Sequence, residues 1–296
     1  VVPIRQDLTW ELGGRTLVMG ILNVTPDSFS DGGRLDGPAA AAAAAEAMVA
    51  AGVDVIDIGA ESTRPGAARV TEEEELCRLL PAIAAIRASA SAATATALIS
   101  VDTTRAAVAA AAVEAGADIL NDISGGTFDA RMLPTAAKCK VPIILMHTRG
   151  TPAEMQSRAE YADLIPEVCA ELGAQARAAA AAGVPPWHVL VDPGIGFAKT
   201  GDHNLALLRH ENLGAFVRHF TEATPPLAVG SLVGASRKGF IGQVLRQPDP
   251  KKRQWGNAAT VCAAVIAGAD LVRVHEVDEM RQVALLADAV HRGPPV

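Results

Sequence analysis

The chain has 296 residues, half of them hydrophobic and a fifth charged, a balance that supports a sizeable buried core and excludes general disorder. Twenty-six basic against 33 acidic side chains leave a net charge of −7, so no global basic field exists to hold a nucleic-acid backbone, and any anion site is local. The aromatics are 3 Trp, 1 Tyr and 6 Phe, too few for base-stacking platforms. No apolar run reaches the ~20 residues that span a bilayer, so neither nucleic acid nor membrane is expected as a partner. Cys77, Cys139, Cys169 and Cys262 lie far apart, with no C-x-x-C pair and no zinc-finger spacing, which points to a reduced, cytoplasmic setting. The opening VVPIRQDLTWEL has no basic segment leading into an apolar core, so no secretory signal is expected.

In chain order, Leu8 to Leu17, with Gly13-Gly14 between two alternating runs, reads as a β-hairpin ahead of the first long strand. That strand is expected over 17–24, and the Ala-rich segment from Pro38 to Ala51 lacks large side chains and reads as a packing helix. After a strand over 53–58, Thr71 with Glu74 makes a capping box, and four glutamates from Glu72 to Glu75 suit a helix N-terminus. A strand over 98–102 precedes a helix from Ala106 to Ala115 that Gly116 stops. Strands over 118–122 and 141–147 come next, then a long helix from Arg158 to Ala182, ended by Gly183-Val184-Pro185-Pro186. Strands over 188–192, 227–235 and 269–275 complete the series, with Gln247 to Gln254 a polar, mobile-looking loop between the last two. Eight apolar β-branched runs alternate with helical segments, at about 37 residues per unit. They predict an α/β fold, a (β/α)8 TIM barrel whose bottom is closed by the N-terminal β-hairpin. No linker divides the chain, so a single domain over 1–296 is expected.

Polar residues recur at the carboxyl ends of these runs: Asn23, Asp57, Asp102, Asn121 and Asp122, His147, Asp192, Ser236 and Lys238, then Arg273 and His275. In a parallel barrel those ends converge on one rim, where active sites are built. Folding alone does not favour such a set, because each polar group near a buried strand end needs a partner or a ligand. Asp57 is expected to support its neighbours, and Asp122 to organise a loop, since adjacent strand residues face opposite ways and only one of Asn121 and Asp122 can face the mouth. Arg273 keeps its charge and wants an anion, and His275 shares its face, which suits a phosphate group. The segments 25–33 and 61–66 read as active-site loops, the second carrying Arg64. Gly194 to Thr200 lacks the Walker spacing, so no nucleotide loop is expected there. Arg237 and Lys238 both follow the seventh strand, and spacing leaves open which one faces in.

These residues fall in seven ordered motifs: MGILNVTPDSFSDGG at 19–33, DIGAESTRPGA at 57–67, SVDTTR at 100–105, NDISGG at 121–126, LMHTRGTP at 145–152, DPGIGFAKT at 192–200 and GASRKGFIG at 234–242. In them the chain resembles the dihydropteroate synthase family from about Val18 to Val277. The resemblance implies condensation of 6-hydroxymethyl-7,8-dihydropterin diphosphate with 4-aminobenzoate to 7,8-dihydropteroate, a folate-biosynthesis step. It assigns the pterin to Asp192, Asp102, Asn121 and Lys238, with Met146 and Phe197 as walls. It puts the diphosphate on Asn23, Arg273 and His275, with Mg²⁺ held by Asn23, and the aminobenzoate against Phe29, Thr63, Arg64, Pro65 and Ser236. Asp31 would neighbour a cation formed by early carbon–oxygen cleavage, so the catalytic set is Asn23, Asp31, Arg64, Lys238, Arg273 and His275. A homodimer is implied, and no fused kinase-like domain. Ala60 and Ala198 stand where the family pattern has glycine, at a strain of ~1 kcal/mol wherever φ must be positive; Thr148 stands where methionine is commoner. A methyltetrahydrofolate-dependent corrinoid methyltransferase shares the barrel but has no use for a diphosphate pocket, which Asn23, Arg64, Arg273 and His275 would form. A catalytically silent pterin-binding barrel would have lost loop residues such as Asp31 or Arg64.

Overall fold

A computed structural model describes residues 2–5, 8–25, 37–62 and 70–293. The chain starts with β1 (Val2–Arg5) and β2 (Leu8–Trp10), an antiparallel pair with Val2 opposite Trp10. Eight parallel strands then close into a barrel: β3 (Leu17–Asn23), β4 (Val55–Gly59), β5 (Leu98–Asp102), β6 (Ile119–Asp122), β7 (Ile143–Met146), β8 (Val189–Asp192), β9 (Gly230–Val233) and β10 (Leu271–Val274). They keep chain order around the barrel, and β10 pairs with both β9 and β3. This is the TIM-barrel fold with an N-terminal hairpin that the alternation of runs predicts.

Parallel neighbours need crossovers, and these are supplied by helices that cover the outer face. They are α1 (Pro38–Ala50), α2 (Glu72–Arg87), α3 (Ala92–Thr96), α4 (Ala106–Glu114), α5 (Met132–Cys139), α6 (Leu164–Ala181), α7 (Gly201–Leu207), α8 (His210–Thr221), α9 (Gly239–Leu245), α10 (Gln254–Ile266) and α11 (Val277–His291). The Ala-rich α1 buries Ala41 and Ala45 and packs on α2, as its small side chains allow. At the start of α2, Thr71 Oγ1 accepts from the Glu74 N–H at 3.2 Å. The reciprocal half of the expected box is absent among the described contacts, because the Glu74 carboxylate pairs with Arg78 one turn on. No helix among the described residues is long and apolar enough to cross a membrane.

Three expectations are corrected. The hairpin is 2–10, not 8–17: Leu17 and Met19 already belong to β3, where they pair with Leu271 and Arg273, and Gly13, at φ 89°, bends the connection between hairpin and barrel. The long helix before β8 begins at Leu164, not Arg158, because a 3-10 turn over Met155–Arg158 comes first. The 247–254 loop is anchored rather than mobile-looking: the buried Arg253 side chain donates to the carbonyls of Gln247 at 2.9 Å and Pro248 at 2.7 Å, and to those of Arg237 at 2.9 Å and Lys238 at 3.2 Å.

The barrel interior has a floor and a top of opposite character. Val2, Ile4 and Trp10 of the hairpin pack beneath Leu17, Met19, Val55, Leu98, Ile119, Ile144, Leu190, Leu232 and Leu271, so every barrel strand contributes an apolar residue at the bottom. Residues two apart share a face. Counting upward by twos from that floor therefore gives Asn23, Asp57, Ser100, Asp102, Asn121, Met146, Asp192, Gly234 and Arg273 as the inward positions toward the carboxyl ends.

Candidate active site

At the centre of this upper layer Asp57, fully buried on β4, accepts from Arg273 Nε at 2.6 Å and from Asn121 Nδ2 at 3.1 Å through the same oxygen, Oδ2. Arg273 Nη2 donates to Asp102 Oδ2 at 2.8 Å. The arginine that the sequence reserves for an anion thus has two carboxylates of its own chain as first partners. Those bonds use two of its five N–H donors. The other oxygen of Asp57, Oδ1, is buried without a hydrogen-bond partner among the described residues. Asp57 supports Arg273 and Asn121, in keeping with the supporting role read from sequence.

Asp192 ends β8 on the opposite side of the mouth, with Oδ1 accepting from the Gly194 N–H at 2.7 Å. Gly194 has φ 70°, and a Cβ there would meet the His147 carbonyl oxygen at 2.0 Å, so only glycine fits. Past β9, Lys238 faces in, its ammonium 4.0 Å from the centroid of the Phe197 ring. Arg237 takes φ 60° and turns to Glu276, Nε to Oε1 at 2.7 Å, which resolves the alternative left open by spacing. Phe197 and Met146 join Ile123, Met155 and Ala198 in a small apolar cluster at the rim.

Three carboxylates (Asp57, Asp102, Asp192) share this layer with two cations (Arg273, Lys238), and burial dominates the proton affinities of Asp102, Asp192 and Lys238. Burial pushes Asp102 up to about 7 against the pull of Arg273, with Asp57 adding to the push. Burial likewise raises Asp192 to about 6, opposed by the Gly194 N–H and by Lys238. Lys238 is lowered to about 8, by burial first and by Arg273 second. A ligand that donates hydrogen bonds to these acids supplies the stabilisation that two cations leave incomplete.

Beside Arg273, Ser236 Oγ lies 2.9 Å from His275 Nδ1 and accepts from Asn257 Nδ2 at 3.3 Å and the His275 N–H at 3.2 Å. With its lone pairs so used, the Ser236 hydroxyl is placed to donate to Nδ1, which leaves the ring N–H of His275 on Nε2. Ser236, assigned to an aminobenzoate pocket by resemblance, has its hydroxyl committed to orienting His275. Asn23 is exposed at the end of β3. Its Oδ1 and Asp102 Oδ2 lie 3.9 and 3.8 Å from where a Gly59 side chain would begin, so the glycine keeps the space between them open. Phe29, Asp31, Thr63, Arg64 and Pro65 lie outside the described residues.

Two strand-end residues in the polar series point away from the mouth. Asp122 accepts from the Ser124 N–H at 2.8 Å, the Ser124 hydroxyl at 2.6 Å and the Gly126 N–H at 2.8 Å, the loop-organising role expected of it. His147 succeeds the inward-facing Met146 and so faces out, fully buried against a group that sequence reasoning did not single out. Lys199 Nζ is 3.0 Å from His147 Nδ1 and 3.0 Å from the Phe197 carbonyl. His147 Nε2 is 3.1 Å from Glu171 Oε2, and Glu171 pairs with Arg149. A second missed residue is Arg105, which joins Glu61 at 2.9 Å to the Val70 carbonyl at 2.6 Å and to buried Glu75. No spacing signal marks these groups, because their partners come from distant segments.

The pterin binding enzyme family model matches residues 19–275. The chain belongs to that family, among the dihydropteroate synthases. It is 50% identical over 291 residues to the dihydropteroate synthase of Synechocystis, covering 98% of this chain and 95% of that protein. The Clostridium difficile dihydropteroate synthase structure obtained with pteroic acid superposes with TM-score 0.84 at 35% identity, over 96% of this chain and 100% of the other. The Thermus thermophilus enzyme in complex with 4-aminobenzoate gives TM-score 0.79 at 38% identity, over 96% and 97% of the two chains. The chain is accordingly an enzyme, a transferase of folate biosynthesis of the dihydropteroate synthase type.

Of the two alanines standing for glycine, Ala198 has φ 48° and Ala60 is not among the residues of positive φ. Ala198→Gly is therefore expected to raise the urea midpoint, by ~1 kcal/mol of relieved left-handed strain. Ala60→Gly, which relieves nothing, should lower it.

Proposed function

We propose that this chain joins 6-hydroxymethyl-7,8-dihydropterin diphosphate to 4-aminobenzoate at the top of the barrel, releasing diphosphate. The observation carrying this reading is the inward ring of Asp57, Asp102, Asn121, Asp192, Lys238 and Arg273 above an apolar floor. A pterin has adjacent N–H and NH₂ donors along one edge, and the Asp192 carboxylate accepts both. Asp102 and Asn121 serve the remaining ring donors and acceptors, Lys238 donates to the ring's acceptor side, and Met146 and Phe197 wall its faces.

The diphosphate lies against Arg273 and His275, with the Nε2–H of the Ser236-oriented ring as a donor to the anion. The bond between the exocyclic methylene and the diphosphate oxygen breaks early, and its electron pair leaves with the oxygen. The neutral aromatic amine then forms the carbon–nitrogen bond and loses a proton. Catalysis comes mainly from alignment and from stabilising separated charge, with no strong base required. Asp31 is assigned to the developing cation, and Phe29, Thr63, Arg64 and Pro65 to the aminobenzoate.

Mg²⁺ fits the donor set at Asn23. A divalent ion of this kind takes one or two protein oxygens and completes its shell with water and substrate phosphates, and Asn23 offers an exposed amide oxygen beside Asp102. Among the described residues no group of three His, Cys, Asp or Glu forms a cage, consistent with a metal held largely by the substrate. When bound, the ion supplies charge neutralisation for the departing diphosphate.

Self-association is proposed through α10 and α11, which pack on each other. Their outer faces carry Trp255, Ala259 and Ile266 on one helix and Leu286 and Val290 on the other, with the half-buried Cys262 and Val283 beside them at helical spacing. Leu286 is 69% and Val290 81% exposed, and two parallel apolar stripes of this kind suit an isologous contact between two copies.

Mixing the pterin diphosphate with 4-aminobenzoate should yield dihydropteroate and one equivalent of diphosphate; absence of product returns the methyltransferase reading. Arg273→Ala strips Asp57 and Asp102 of their cation and is expected to lower stability by ~3 kcal/mol or more, so the fold does not survive that change untouched. Arg273→Lys keeps the charge and is the cleaner probe, with kcat/KM expected to fall ~100-fold and the unfolding midpoint to fall less than in Arg273→Ala. Chelation with EDTA should suppress turnover and added Mg²⁺ restore it. Leu286→Glu with Val290→Glu should shift the sedimentation coefficient from dimer to monomer.

A further inference from the structure

We infer that Lys199, which the proposed reaction leaves unused, is a positioning residue for the pterin seat: from behind the loop after β8 its ammonium grips the Phe197 carbonyl and lies 3.4 Å from where a side chain on Gly194 would begin, the glycine whose N–H holds the Asp192 carboxylate. This rests on the pterin reading of Asp192. Lys199 is 2% exposed, and its hydrogen-bond partners among the described residues are His147 Nδ1 and the Phe197 carbonyl, both at 3.0 Å. No carboxylate among the described residues comes within ion-pair distance of it. A buried ammonium in that position is costly unless its field acts elsewhere.

The surroundings specify where. His147 is held neutral, lowered to about 4 by burial and then by Lys199. Its Nδ1 therefore accepts from the ammonium, and its Nε2–H donates to Glu171 at 3.1 Å. Glu171 continues to Arg149, whose guanidinium lies 3.9 Å from the Tyr161 ring centroid. Tyr161 returns to the loop, its hydroxyl donating to the Ala198 carbonyl at 3.0 Å. Consecutive carbonyls of the 197–198 segment are thus captured from behind, while Lys238 sits over the Phe197 ring on the pocket side.

The charged groups bearing on Asp192 are Lys199 on its own loop, Lys238 after β9 and Arg273 on β10. Those bearing on Lys199 are Asp192, His147 after β7, Arg149, Glu171 on α6 and Lys238. Lys199 is itself lowered to about 7, by burial first, with Asp192 pulling the other way. The fields of the buried Lys199 and the partly exposed Lys238 both favour the ionised Asp192 carboxylate.

The test is the affinity for 6-hydroxymethyl-7,8-dihydropterin, by calorimetry across pH 5.5 to 9 at fixed ionic strength. In the wild type, binding should weaken in two stages as pH falls, first through about 7, where Asp102 takes up a proton, and then through about 6, where Asp192 does; the second stage is the limb compared among variants. Removing a cation makes that proton easier to keep. Lys199→Met should therefore move the acid limb up by about one pH unit, weakening binding ~3-fold at pH 6.5 and ~8-fold at pH 5.5 beyond whatever pH-independent loss is read at pH 8.5. Glu171→Gln, at a half-exposed position, should move the limb the same way by less, since Lys199 then loses its proton more easily. Lys199→Arg should leave the limb near its wild-type place. Limbs unmoved in both Lys199→Met and Glu171→Gln, whatever the uniform loss of affinity, would reduce Lys199 to a brace and overturn the inference. If Lys199→Met does not fold, Glu171→Gln alone decides. A wild type that binds no pterin at any pH would instead remove the proposed function.

Discussion

Arg273 holds the upper half of the barrel together. Three acids buried above an apolar floor repel one another in a medium where charge is poorly screened, and the layer is tolerable because one guanidinium spans Asp57 and Asp102 while Lys238 sits opposite. Asp57 has no neighbour of its own strand to pair with, and Asn121 is turned toward it by the same oxygen that holds Arg273. Site and stability are therefore one arrangement. The acids that suit a heterocycle's donors are the acids that need a cation, and burial leaves Asp102 and Asp192 both holding protons more tightly than ordinary carboxylates.

The loops carry this arrangement to the ligand by backbone means. Gly194 brings its N–H onto Asp192 because no Cβ obstructs the His147 carbonyl. Arg253 fixes the turn that presents Lys238 by taking the carbonyls of both Arg237 and Lys238. Arg105 joins Glu61, the first residue of the second loop, to the Val70 carbonyl after it. In each case one long cation or one glycine substitutes for regular secondary structure, which cannot reach the mouth of a barrel.

Much of this is legible in the sequence, for a mechanical reason. The β-branched runs of parallel strands and the helices between them set the barrel, and the strand expected over 98–102 coincides with β5. Period-two alternation separates Asn121, facing in, from Asp122, facing out, on residue pattern alone. The same rule applied to Met146 turns His147 outward as well; its polar character hides that. The hairpin is expected too late in the chain because Gly13-Gly14 looks like a turn, whereas the pairing of Leu17 with Leu271 claims that segment for the barrel.

The sequence by itself determined the fold, the family through its seven motifs, and the set of polar strand ends, since these depend on local periodicity and residue type. Only the tertiary structure decided which charge meets which. That Arg273 answers to Asp57 and Asp102, that Lys238 rather than Arg237 turns inward, and that Lys199 lies buried behind Asp192 against His147 are consequences of barrel closure. Closure sets residues from distant segments side by side, and neither spacing nor composition encodes that proximity.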